Sequence, residues 1–451
     1  MTTDDRCLAT DDRPRGMKDE GRRTDVDPSS PVSRWSSEAR GTKIPAQLVR
    51  GFRALRVRNY RLFFIGQLIS LTGSWMQTTA QAWLVLELTR SPLALGLVTT
   101  LQFLPLMLFS LVGGVIADRA PKRQLILITQ TAAMLLAGIF GTLVATGAIQ
   151  LWHVYVLAML QGVVNAVDNP VRQAFSVELV GRDEMINAVA LNSMLFNGAR
   201  IVGPAVAGVM IASIGIAPVL YLNAVSFIAV IAGLLMMDPA ALRAAPARTA
   251  GGVAQRLYEG LRYSWRTPDV LLIMIVVGAI GTFGYNFSVV LPLIAGFVLH
   301  TDAAGFGALS AFLGIGSLAA AIGTAYARQV SLRRLLIGAG SFSALLGALA
   351  LSPFFTLSSA LLVALGFAGI TFATTANSLL QLSVPDELRG RVMGLYVLLF
   401  AGSTPIGALL IGAASNTIGA PAALLLCAAL CAIGVGVALL YRHRTLDRVS
   451  L

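Results

Sequence analysis

Long apolar stretches, each separated from the next by a short polar loop, fill the chain from residue 62 to residue 441. Each stretch holds roughly 18 or more residues with almost no charge, the length that an α-helix needs to cross the hydrocarbon of a bilayer. The pattern predicts crossings at Leu62–Leu86, Leu93–Ala117, Gln124–Thr146, Leu151–Val167, Ala188–Ala212 and Ala217–Met237. It predicts six more at Val270–Val298, Ala303–Ala327, Leu332–Ser352, Leu357–Leu382, Val392–Ala414 and Pro421–Tyr441. We therefore expect an all-α membrane protein with twelve transmembrane helices.

The charged residues predict the orientation of these helices. Hydrophobic residues make up 56% and charged residues 12% of the 451 residues, too few charges for a soluble protein of this length. Of the 34 lysines and arginines, all but Arg90 and Arg200 lie in the N-terminal segment, in alternate loops or in the C-terminal tail. The positive-inside rule then places both termini in the cytoplasm of a multi-pass inner-membrane protein. This topology accounts for the net charge of +12, so we expect the lipid bilayer and no nucleic acid as a partner.

Two polar segments set the domain boundaries. Residues 1–57 are mixed in charge and lack an apolar leader, which predicts a disordered cytoplasmic tail. A short amphipathic helix is expected at its end, with Leu48, Phe52 and Leu55 on one face. A second amphipathic helix, Val253–Arg266, is predicted in the middle of the chain. The expected organisation is a tail at 1–57, six-helix bundles at 58–237 and 270–441, a cytoplasmic linker at 238–269, and a tail at 442–451.

The two predicted bundles repeat each other in sequence. At an offset of 209 residues, Gly114 matches Gly323, Arg119 matches Arg328, Glu178 matches Glu387, and Arg182 matches Arg391. The offset covers six crossings, an even number, so the two halves have the same orientation in the membrane. Parallel repeats of this kind place the path of a transported molecule between the halves, near the midplane.

The loop after the second crossing reads Gly114-Val-Ile-Ala-Asp118-Arg119-Ala-Pro-Lys122-Arg123. It resembles the loop motif of the major facilitator superfamily, and the resemblance implies a conformational latch that releases during the transport cycle. Pro121 stands where the family pattern prefers glycine, and Ala327 replaces the aspartate in the second half. The expected latch is therefore on the first half only. The alternative, an ordinary positively charged loop, accounts for the basic residues but not for the glycine and aspartate at fixed spacing.

The fifth crossing contains Gly203-Pro204 and Gly208, similar to the Gly-Pro motif of major facilitator antiporters, which implies export. Physically, the proline predicts a kink and the glycines predict close approach of another helix. A packing kink without functional direction is the alternative.

Arg200 falls about halfway through the same crossing. An arginine there costs about 2.5–3.5 kcal/mol by insertion scales, so it is expected to face protein or a wet cavity and to have a partner. It could bind an anionic part of the cargo or neutralise a carboxylate, for which Glu87 is the candidate. The alternative is a structural arginine satisfied by backbone carbonyls and by asparagines such as Asn197.

The first crossing carries a polar stripe with spacings of three and four residues, formed by Gln67, Ser70, Ser74, Gln77 and Gln81. In lipid such a stripe must face protein or water, so we expect it to line the central cavity. Uncharged amides and hydroxyls suit a polar-aromatic cargo, with Trp75 available for stacking. Contact between helices is the alternative, because polar side chains also join membrane helices.

Further segments narrow the resemblance within the superfamily, among them Asp168-Asn-Pro170-Val-Arg172-Gln173 and Glu178-Leu-Val-Gly-Arg-Asp-Glu. They resemble the branch that includes enterobactin exporters and macrolide efflux pumps. The resemblance implies a monomeric secondary transporter that exports siderophores or amphipathic drugs, without a cofactor and with protons as the coupling ion. Locally, Asn169-Pro170 is expected to end the fourth helix.

The coupling residues are less determined by the sequence. Glu87 and Asp168 are the candidate coupling carboxylates, whereas Ala158 stands where proton-linked relatives often have an arginine before the Gln161-Gly162 pair. No phosphate-binding loop is present, which argues against ATP as the energy source.

Two other functions are alternatives to export. One is an importer or facilitator with the same fold. The other is a membrane enzyme or sensor, which lacks support because His153, His300 and His443 lie on different segments and no catalytic or metal-binding cluster is evident. We therefore predict no catalytic residue and no metal site.

Overall fold

The computed structural model describes residues 53–181, 184–242, 253–326 and 330–449, without the side chains at 110–119, 186, 253–257, 325–326 and 444–449. Several predictions lie outside these described residues. They concern the tail up to residue 52, the middle of the linker, Ala327, the contacts of Gly114, and the side chains of Asp118 and Arg119.

Helices account for nearly all of the described chain. The first six are α1 Arg58–Thr89, α2 Pro92–Arg119, α3 Lys122–Ala145, α4 Leu151–Val180, α5 Met185–Ile214 and α6 Ile216–Leu235. The others are α7 Val253–Arg266, α8 Pro268–Ala279, α9 Phe287–Leu293, α10 Ala303–Tyr326, α11 Leu332–Ala350, α12 Phe355–Ser383, α13 Asp386–Phe400, α14 Thr404–Ile418 and α15 Ala420–Val449. Turns of 3₁₀-helix at Arg53–Arg56 and Pro239–Ala241 precede α1 and follow α6.

The predicted all-α membrane fold is confirmed. Within the described ranges, ten helical segments are long and apolar enough to cross a membrane, or eleven if one bent pair is a single span. Helix α1 is long enough, at 32 residues, but its polar stripe lowers its apolarity below that of these ten. The count of twelve crossings therefore stays a prediction.

Three predicted helices differ in detail from those observed. Pro170 does not end the fourth helix, which continues as α4 to Val180. Membrane helices tolerate an internal proline where neighbouring groups satisfy the freed carbonyl. The seventh crossing is not one helix, because π-helical turns at Ile280–Gly284 and Ile294–Val298 interrupt it. The eleventh crossing is interrupted between α13 and α14, where Pro405 starts the second piece.

Polar contacts bring the arginine-rich loops of the first half to one side of the molecule. Asn59, at the start of α1, donates to the Asp238 carbonyl at 2.8 Å, beyond the end of α6. Arg123, at the start of α3, donates to the Leu234 carbonyl at 2.8 Å. We call this side the basic face and the other side the opposite face.

Glycines allow the two halves to meet near the opposite face. Helix α5 of the first half packs on α10 of the second, and α2 packs on α14. A Cβ atom on Gly208 would lie 2.7 Å from the Ala303 carbonyl oxygen and 2.8 Å from the Gly307 Cα. A Cβ atom on Gly96 would lie 3.0 Å from the Gly412 Cα. The backbones of the two halves are therefore in direct contact at two glycine pairs that occupy corresponding places in the repeat.

Candidate functional site

Arg200 joins the two halves near the middle of the membrane. Its guanidinium, on α5, donates a 2.6 Å hydrogen bond to the Ser317 hydroxyl of α10. Among the described residues, no carboxylate lies within 4.0 Å of the guanidinium. Glu87, the candidate carboxylate, is not paired with Arg200 in this conformation and accepts a 2.6 Å hydrogen bond from Trp83 near the far end of α1. The described residues show no hydrogen bond from Arg200 to Asn197, whose amide nitrogen donates to the Ser193 carbonyl of its own helix at 2.8 Å.

Aromatic side chains of the second half lie beside this arginine. Tyr285, at the break in the seventh crossing, interacts electrostatically with Arg200. Its ring centroid lies 4.8 Å from that of Phe400, which stacks on Tyr396 at 5.7 Å and 7°. Tyr285 and Phe400 are half-buried. The arrangement combines one cation with a wall of aromatic rings, which can stack on a flat ring and pair with an anionic group.

The polar stripe of α1 lies largely within the first half. Gln77 is buried and accepts a 2.7 Å hydrogen bond from Asn223 of α6. Gln81 donates to Gln102 of α2 at 3.3 Å, and Ser74 donates to the Ser70 carbonyl at 2.9 Å. These contacts favour the packing alternative for the stripe. A role of the stripe in cargo binding remains an untested prediction.

A buried carboxylate and its partners form a second polar centre. Asp168 of α4 is 1% exposed and accepts hydrogen bonds from Thr129 at 2.7 Å and Gln130 at 3.0 Å. It also pairs with Arg172 one turn later, and Arg172 donates to Gln67 of α1 at 2.6 Å. A charge buried this deeply is stable only when it is paired and hydrogen-bonded.

The same centre contains polar atoms that could take new partners. The Gln67 Nε2 and Gln130 Oε1 atoms are buried without a hydrogen-bond partner among the described residues. Of the two candidate coupling carboxylates, Asp168 is therefore in a connected network, whereas Glu87 is exposed and contacts a single tryptophan.

The basic end of the loop motif ties α3 to its neighbours. Lys122 pairs with Glu178 at the end of α4, with 2.7 Å between Nζ and Oε1. Both side chains are mostly buried, at 12% and 15% exposure. Arg123 binds the last turn of α6 as described above. The described part of the motif thus fastens three helix ends of the first half together at the basic face.

The kink motif of α5 provides close helix contacts on both sides. Pro204 lies inside a helix that continues to Ile214. A Cβ atom on Gly203 would lie 2.6 Å from the Trp75 Cβ of α1, while Gly208 meets the second half. Trp75 itself packs edge-on against Phe196 at 5.6 Å. The glycines therefore serve packing, whatever the direction of transport.

A family model described as transmembrane secretion effector, within the major facilitator superfamily, matches residues 49–450. The chain belongs to this family. Among its relatives, the multidrug efflux pump Tap of Mycolicibacterium fortuitum is 28% identical over 403 residues, covering 86% of this chain and 97% of that protein. The enterobactin exporter EntS of Citrobacter koseri is 25% identical over 364 residues, covering 78% and 84%. The predicted superfamily and branch are confirmed.

Solved structures show the same fold at low sequence identity. A bacterial homologue of the human lysosomal transporter Spinster, in an inward-facing and unoccupied conformation, has a TM-score of 0.68 and 12% identity. The match covers 88% of this chain and 98% of the other. Nucleoside transporter NupG has a TM-score of 0.66 and 12% identity, covering 86% of this chain and 98% of the other.

The aromatic side chains beside Arg200 were not predicted from the sequence. Tyr285, Phe400 and Tyr396 lie in apolar stretches, where an aromatic side chain is most often core. A signal was available near Tyr285, because Gly281 and Gly284 precede it closely and Asn286 follows it. Glycines and a polar residue within one crossing indicate a place where the helix opens.

Proposed function

We propose that the chain exports an amphipathic aromatic molecule that carries an anionic group, a class that includes phenolate siderophores and many drugs. The observation that supports this most is Arg200, which bridges the halves to Ser317, lies beside Tyr285, and has no carboxylate within 4.0 Å among the described residues. An arginine in the membrane needs a partner, and a cargo anion can be one. The names of the relatives, an efflux pump and an enterobactin exporter, agree with this class.

Export as the direction is supported by the efflux pump and the enterobactin exporter among the relatives. With the basic face cytoplasmic, as the arginine-rich loops indicate, the Gly208–Gly307 and Gly96–Gly412 contacts close the outer side. In an exporter this outward-closed conformation is the one that loads its cargo from the cytoplasm. Rocking of one half against the other then exposes the cargo to the outside. The protein acts in this scheme as a monomer in the inner membrane.

Protons drive the cycle in this proposal, and Asp168 is the residue that binds them. A proton on Asp168 removes the charge that holds Arg172 in place. The free Gln130 and Gln67 atoms in the same centre can then take new partners. Such a change near the basic face could alter how α1 and α4 pack, in concert with the latch at Asp118, Arg119 and Lys122.

Transport into everted vesicles tests the proposal. With an imposed proton gradient, acidic inside, vesicles that contain the wild-type protein should accumulate an aromatic anionic cargo. Release of preloaded cargo would instead support the importer alternative. Arg200→Lys should keep part of the activity, because the charge survives while the planar fork is lost. Arg200→Gln should lose anionic cargos and keep neutral ones, and an equal loss of both would refute the role of Arg200 in recognition.

A further inference from the structure

Helix α7, in the linker between the two halves, lies across the direction of the seventh crossing. The chain bends by 113° between the segment Tyr258–Arg266 and the segment Pro268–Gly284. Thr267 separates the two, in extended backbone conformation before the proline. Because α8 begins a membrane crossing, a helix bent this far from it lies close to the plane of the membrane surface.

One face of α7 is fixed to the second half. Glu259 pairs with Arg391 of α13, with 2.5 Å between Oε2 and Nη1. A Cβ atom on Gly260 would lie 2.9 Å from the Arg391 carbonyl oxygen, so the two backbones are in close contact. Ser264, one turn further along the same face, is 2% exposed. The helix is therefore attached at the point where the eleventh crossing starts.

The other face of α7 is apolar and has no contact that covers it among the described residues. Tyr258 is 63% exposed, Leu261 50% and Trp265 71%. Their spacing of three and four residues places all three on one side of the helix. Arg262 and Arg266 are exposed beside them. Tryptophan and tyrosine with arginine neighbours are the side chains that occur at the interface between lipid and water.

We propose that this exposed face of α7 is a binding site for acidic phospholipids in the leaflet at the basic face. Tyr258, Leu261 and Trp265 enter the headgroup region, and Arg262 and Arg266 pair with headgroup phosphates. The Glu259–Arg391 pair then connects the lipid surface to α13. The lipid site would thereby fix the first turns of α13, a helix that must move when the halves rock. This proposal does not depend on the cargo or on the coupling ion.

Nanodiscs of defined lipid composition test the lipid preference. Phosphatidylglycerol added to phosphatidylcholine should raise the melting temperature of the full-length wild-type protein, and the rise should be lost in Arg262→Gln/Arg266→Gln. The control Arg333→Gln/Arg442→Gln removes the same charge from exposed positions elsewhere at the basic face and should keep the rise. Inorganic phosphate added to discs of phosphatidylcholine alone should have no effect. An equal rise in both double variants, or an equal effect of free phosphate, would overturn the proposal.

Fluorescence quenching tests the position of the apolar face. The emission that Trp265→Phe removes from the wild-type spectrum belongs to Trp265. In discs with phosphatidylglycerol, lipids brominated near the headgroup should quench that component strongly and aqueous iodide should quench it weakly. The reverse order would show that the face lies in water or under a soluble partner, and would refute the lipid site.

Discussion

The glycine contact between α5 and α10 gives the sharpest prediction. Gly208→Ala would place a methyl group 2.7 Å from the Ala303 carbonyl oxygen and 2.8 Å from the Gly307 Cα, whereas ordinary contacts of a Cβ atom begin at 3.4 Å. Both neighbouring atoms belong to the backbone, so no side-chain rotation can relieve the overlap. Overpacking of this kind costs about 1–3 kcal/mol. If the cost falls on the outward-closed state alone, that state loses a factor of about 5–150 relative to the open one.

Distance measurements between the halves can detect this shift. Spin labels attached through Ser213→Cys on α5 and Thr417→Cys on α14, in a background without native cysteines, report the separation at the opposite face. Gly208→Ala should move the distance distribution to longer values. The control is Gly198→Ala on the same helix, because no described atom outside its own helical turn lies within 4 Å of a Cβ there. An unchanged distribution in Gly208→Ala would show that this contact does not hold the closed state.

Three further predictions concern the polar groups of the first half. Gln77→Leu leaves the buried Asn223 amide without its acceptor, and should lower stability by about 0.6–1.7 kcal/mol in thermal unfolding while cargo affinities stay unchanged. A shift in cargo preference without loss of stability would show that Gln77 lines the cargo cavity. Asp168→Asn should abolish proton-driven uptake into everted vesicles but keep exchange down a cargo gradient, and retained accumulation would exclude Asp168 as the proton site. Asp118→Asn should leave folding and insertion intact and slow transport. A normal transport rate would show that the loop motif, which includes Lys122, serves only to orient the protein in the membrane.

Length and apolarity predicted the positions of most helices, because a membrane crossing needs little beyond an apolar run of sufficient length. The predicted start of the fourth crossing, Leu151, is also the observed start of α4. The interruption of the seventh crossing was not predictable in the same way. No proline stands at the break by Tyr285, and although Gly281, Gly284 and Asn286 indicate an opening there, such residues also occur within regular membrane helices.

The direction in which a polar side chain points was the harder problem. The stripe that contains Gln77 must avoid lipid, and both a water-filled cavity and a neighbouring helix meet that requirement. The choice depends on Asn223, which is 146 residues away in the chain and becomes a neighbour only when α1 packs on α6. For Arg200 the full charge in mid-membrane predicted a partner in protein or a wet cavity, but it did not choose between a cargo anion, a carboxylate and neighbouring polar groups. The neighbour in this conformation is the Ser317 hydroxyl, which is 117 residues away in the chain.

The bond between Arg200 and Ser317 connects cargo recognition to the contact between the halves. A guanidinium carries five N–H donors, so one bond to the Ser317 hydroxyl leaves others for an anionic group. A cargo anion that draws the guanidinium away from the Ser317 hydroxyl weakens a contact across the halves, at the depth where the cargo sits. Nearer the opposite face the glycine pairs pack the backbones of the halves together, and Thr100 of α2 adds a 2.9 Å hydrogen bond to the Pro405 carbonyl of α14. Loading would thus release the Arg200 bond first, and the contacts nearer the opposite face would separate only when the halves rock.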